Sequence, residues 1–98
     1  MTEKKILTLR LKRKWWDLIK SGEKTVELRT ATDYWRKRLI GREYDEIHLW
    51  LGYPKSTDTE KLIIRKWTNV AKEMVQSDEF GPEPVECFCI DVSQEVRS

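Results

Sequence analysis

The stretch Gly22-Glu23-Lys24-Thr25-Val26-Glu27-Leu28-Arg29 decides how the chain is read. A helical segment ends at Gly22 and a strand begins just after it. Side chains alternate between the two faces of a strand, so Val26 and Leu28 share one face and Glu27 and Arg29 the other. The apolar pair is predicted to face the core. Glu27 and Arg29 then stand side by side, their Cα atoms roughly 6–7 Å apart. Thr25 is in phase with them. Lys24 is out of phase and joins them only from the turn before the pleat begins. An ammonium, a carboxylate, a guanidinium and a hydroxyl would thus gather at the mouth of one strand. The same pattern also suits a half-buried strand with a solvated charged face, and periodicity does not separate the two.

The stretch resembles the signature of the ASCH domain, a small β-barrel family of the PUA-like superfamily. The family pattern is Gly-x-Lys-x-x-Glu-x-Arg, and Gly22, Lys24, Glu27 and Arg29 fill its fixed positions. The flanks fit as well: a strand at Ile6–Leu11, a short Trp-bearing helix before the motif, and a hydrophobic strand ending in Gly52-Tyr53 after it. The resemblance implies an α+β fold, a small barrel of five to six mixed strands with two or three short helices. It also implies a role in binding RNA or nucleosides, or in RNA-processing catalysis, since the family holds both.

At 98 residues the chain has room for one domain with one core, and 39% hydrophobic residues with five tryptophans can fill it. No apolar run approaches the roughly 20 residues that span a bilayer, and the N-terminus lacks a signal-peptide core. A cytoplasmic monomer without membrane association is expected. Cys87 and Cys89 would point the same way on one strand, a poor site for a relaxed disulfide. With His48 as the sole histidine, no fourth metal ligand is evident, so reduced thiols and no metal or cofactor are expected. The net charge is only +2, but residues 4–42 hold 13 Lys/Arg against 4 Asp/Glu, and residues 43–98 hold 6 against 12. The basic half contains the motif. This asymmetry suggests an anionic partner, or two halves that pair with each other on folding.

Along the chain, Ile6–Leu11 reads as a strand with Thr8 and Arg10 on one face. Lys12 to Ser21 reads as a helix whose buried stripe is Trp15, Leu18 and Ile19, widened by Trp16. Gly22 suits the residue after its end. Lys12, Arg13 and Lys14 oppose the helix dipole, so phosphate contact is one reason for them and simple solvation another. A second helix is predicted over Tyr34–Ile40, capped by Asp33 and stopped by Gly41, with Trp35 and Leu39 inward and Arg36, Lys37 and Arg38 outward. Tyr44 to Tyr53 is a strand with Ile47, Leu49 and Leu51 opposite His48 and Trp50. Leu62–Trp67 and Val85–Val92 are further strands, while Thr68 to Glu79 reads as a short helix or lid.

Two chemistries suit the motif. In the first, Lys24, Arg29 and the basic helices, Arg36 among them, capture phosphate. One or two of Trp15, Trp16, Tyr34, Trp35 and Trp50 stack on a base, and Glu27 accepts from an exocyclic amine. Trp16 and Trp50 are the leading aromatic candidates. In the second, Lys24, Thr25 and Glu27 are catalytic, as the resemblance to N4-acetylcytidine amidohydrolases and ribonucleases of the family implies. The amidohydrolase branch has threonine where Glu27 stands, and its later glutamate has no clear counterpart beyond Glu60 or Glu86. Lys24 works as a base only when neutral, a form that burial favours and a neighbouring carboxylate opposes. His48 with Lys24 is the one conventional acid–base pair for a metal-free ribonuclease. A third reading makes the motif an ion-pair brace.

Overall fold

Leu7, Leu9 and Leu11 are buried while Thr8 and Arg10 between them stay exposed, which is the period-2 signature of a strand with one face on a core. This strand, β1 (Ile6–Leu11), opens a computed structural model in which residues 3–78 and 80–96 are described. It is followed by α1 (Arg13–Ser21), β2 (Val26–Thr30), α2 (Asp33–Leu39), β3 (Glu46–Leu51), a 3₁₀ turn at Thr59–Lys61, β4 (Leu62–Lys66), β5 (Val70–Val75) and β6 (Val85–Asp91). The small α+β fold thus has its strands and two helices where most were expected.

The strands do not close into the expected barrel. They form two three-stranded sheets, β1–β3–β4 and β2–β6–β5. In the first, β1 runs parallel to β3 and β4 antiparallel to it; in the second, all pairing is antiparallel. The sheets touch where the chain leaves β6. The Lys66 amide donates to Gln94 O at 2.7 Å, and a single bridge joins Arg65 to Glu95. Closure there is too short to make a continuous ladder.

The core lies between the sheets and under α1. It includes Leu9, Ile47 and Leu49 from the first sheet and Phe88 and Ile90 from the second, together with Trp16, Ile19 and Leu39 from the helices. Trp16 donates its ring N–H to Leu49 O at 3.0 Å, so the indole satisfies its one polar atom while burying the rest. The first turn of α1 contains no acidic residue, and Lys12 makes no capping bond with its side chain. Packing, not capping, holds that end. At the other end Gly22 adopts φ 87°, and its amide donates to Ile19 O. Arg65 reinforces this end by donating to Ile19 O at 3.2 Å and to Val92 O at 3.1 Å. One side chain of β4 therefore ties α1 to the end of β6.

Two further expectations are corrected. The segment from Thr68 contains β5, not a helix or lid: Val70, Met74 and Val75 have helical spacing, but pairing with β6 imposes the extended state. Thr32, not Asp33, caps α2, since its hydroxyl accepts from the Trp35 amide. This places Asp33 in the first turn, where its charge still suits the helix dipole.

Candidate functional site

The face opposite the predicted core side is the one that carries the buried residue. Glu27 is 6% exposed, whereas Val26, expected in the core, is 39% exposed and Leu28 is half-buried. A buried carboxylate requires compensation, and two cations supply it. Arg29 donates to Glu27 Oε2 at 2.7 Å, and Lys24 Nζ lies 3.6 Å from Oε1. Lys24 reaches the carboxylate from the turn, its amide held by Leu18 O at 2.9 Å. The trio therefore converges, and Lys24 meets it from before the pleat.

Aromatic rings flank both cations. The Lys24 ammonium stands 4.7 Å from the centre of the Trp15 ring, and the Arg29 guanidinium 5.0 Å from that of Trp35. Arg29 also donates to Arg10 O at 3.0 Å, while its buried Nε has no hydrogen-bond acceptor. Beside the trio is a cavity of about 320 Å³, lined by Glu27, Arg29 and Thr30 of β2, Arg10 and Lys12 near the end of β1, Trp15 of α1, Trp35 of α2, and Phe80. Such a volume is at the small end of ligand clefts, which run roughly 300–1,000 Å³.

Other candidates lie elsewhere. Trp16, expected to stack on a ligand, is 4% exposed and committed to the core. Arg36 pairs with Asp33 on the exposed side of α2, and Trp50 stands in register with Arg10 and Leu62 in the first sheet; neither lines the cavity. Thr25 is exposed and lines a different hollow with Lys20, Lys24 and Arg65. It does not join Glu27. His48 binds Glu46 Oε1 at 3.1 Å, and Lys4 binds the other oxygen at 3.0 Å. His48 and Lys24 thus serve different carboxylates and do not form the acid–base pair that a ribonuclease would need. Glu60 and Glu86 are exposed and line no part of the cavity. Arg10 and Phe80 were not singled out from sequence. Arg10 carried a signal, being polar and out of phase with the core leucines, but its closeness to Arg29 is set by tertiary structure.

Among the described residues, no group of three or more His, Cys, Asp or Glu is placed to hold a metal ion, and no helix is long and apolar enough to cross a membrane. Cys87 and Cys89 form no disulfide; Cys87 is buried, and Cys89 approaches Glu73 at 3.7 Å. The Cys89 thiol is pushed above its ordinary pKa by burial first and the Glu73 carboxylate second. Searches against protein-family models, curated proteins and solved structures give no match.

Proposed function

We propose that the chain is an ASCH-like domain that binds RNA or a nucleoside unit in the cavity beside Glu27 and Arg29. The observation that carries this reading is the union of a buried, doubly paired carboxylate with Trp15, Trp35 and further cations around one hollow. Phosphate would be drawn by Arg10, Lys12 and Arg29, a base would stack on an indole, and the amino group of a base would meet Glu27. Binding suits the trio better than turnover, because Lys24 is engaged with a carboxylate and a π face and Thr25 stands apart.

The test is a calorimetric or NMR titration with the four nucleosides, their monophosphates and short RNAs. Wild type should bind at least one of these, and Arg29→Ala should weaken binding while the protein remains folded. No binding by the wild type would end the reading. Release of cytidine from N4-acetylcytidine by the wild type, and none by Lys24→Ala, would make the domain an amidohydrolase instead.

A further inference from the structure

A second hollow of about 270 Å³ adjoins the first and shares Arg10, Arg29 and Trp35 with it. Its remaining lining is Thr8, Tyr34 and Tyr53. Tyr53 is 87% exposed and therefore does little for the fold, yet Arg10 is centred over its ring at 4.9 Å. Tyr34 is 56% exposed, packs edge-on against Trp35 at 4.9 Å, and carries the Arg38 guanidinium on its face at 3.5 Å. Exposed rings alternating with guanidinium groups form a surface suited to unstacked bases, which bind through their π faces whatever their identity. Among the described residues Arg10 makes one long side-chain hydrogen bond, 3.5 Å to Gly52 O, and a guanidinium carries five N–H donors.

From these paired hollows we infer that the site takes a single strand of at least two nucleotides, not an isolated nucleoside. This rests on the nucleotide-binding reading of the first hollow. One base occupies the cavity beside Glu27, and its neighbour lies against Tyr53 and Tyr34. Arg10 and Arg29, common to both hollows, hold the phosphodiester between them. A duplex is excluded by the same geometry, because both bases must leave their stack to reach the rings.

The experiment is a calorimetric comparison of ribonucleoside monophosphates, homodinucleotides of the four bases, and the same dinucleotides made abasic at either position. Wild type should bind the best dinucleotide about fivefold or more tightly than both abasic forms, as expected for one stacked base. Tyr53→Ala, at a position too exposed to disturb folding, should bring that ratio toward one; Tyr34→Ala should lower it as well. A wild-type ratio near one, or a ratio unmoved by both substitutions, would overturn the second site. If monophosphates bind and the ratio is one, the first site stands without the second. If no nucleotide binds, both readings fall.

Discussion

Arg29 donates to Glu27 across 2.7 Å from two residues along the same strand. A neighbouring side chain thus fixes the guanidinium before any ligand arrives, leaving Nε without an acceptor. Orientation paid for by folding does not have to be supplied on binding.

Replacing Glu27 should test this arrangement. Glu27→Ala leaves two cations facing each other beside the cavity, and a loss of about 1–3 kcal/mol is expected, moderated because both cations retain access to water. Urea denaturation should show a lower midpoint with an unchanged slope. Glu27→Gln should cost less and alter base preference, because an amide donates where the carboxylate only accepts. Unchanged stability in both variants would show that the ion pairs contribute nothing to the fold.

The basic face of α2 should contribute to affinity through charge. Arg38 stacks on Tyr34, while Arg36 is already paired with Asp33. Charge reversal at Arg36, Lys37 and Arg38 together should weaken RNA binding and flatten its salt dependence. The logarithmic slope should fall by about 0.7 for each single-strand phosphate that is no longer neutralised. Arg36→Ala alone should do little. An identical slope for the triple variant and wild type would remove α2 from the interface.

Acid should destabilise the first sheet through Glu46. The hydrogen bond from His48, followed by that from Lys4, holds its carboxyl below the ordinary value of 4.5. A carboxylate lowered on folding stabilises the native state above the unfolded pKa, and the contribution fades as pH falls through the folded one. Thermal midpoints should therefore drop from about pH 4.5 downward, and Glu46→Gln should make that decline shallower. Parallel acid limbs for wild type and variant would contradict this.

Local pattern revealed most elements, because Leu7, Leu9 and Leu11 or Ile47 and Leu49 alternate against one core. It failed at β2, where the alternation was right and the choice of buried face was wrong. Apolar residues are the default for a core, and nothing in one strand shows that α1 and α2 will bring Trp15 and Trp35 beside Glu27. It failed at β5 for the opposite reason. Ala71, Lys72, Glu73 and Met74 are exposed, so an edge strand with little to bury leaves no period-2 trace, and its state comes from β6. The pairing of Glu27 with Arg29 was legible because strand spacing puts them side by side, whereas Lys24 joins them only from the turn before β2. Distinguishing Trp15 from Trp16 was not, since adjacent residues both border a helical stripe.

Strand β2 pairs only with β6 among the described residues, Val26 opposite Asp91 and Thr30 opposite Cys87. During synthesis the motif therefore leaves the ribosome long before the strand that anchors it. β1 and β3 can meet once residue 51 is out, but β2 must wait until residue 91 is out. Until then Glu27 has its two cations and no sheet to hold them, and a nascent chain halted before Val85 carries every motif residue without the cleft. The hollow beside Glu27 is thereby complete only once β6 has paired with β2.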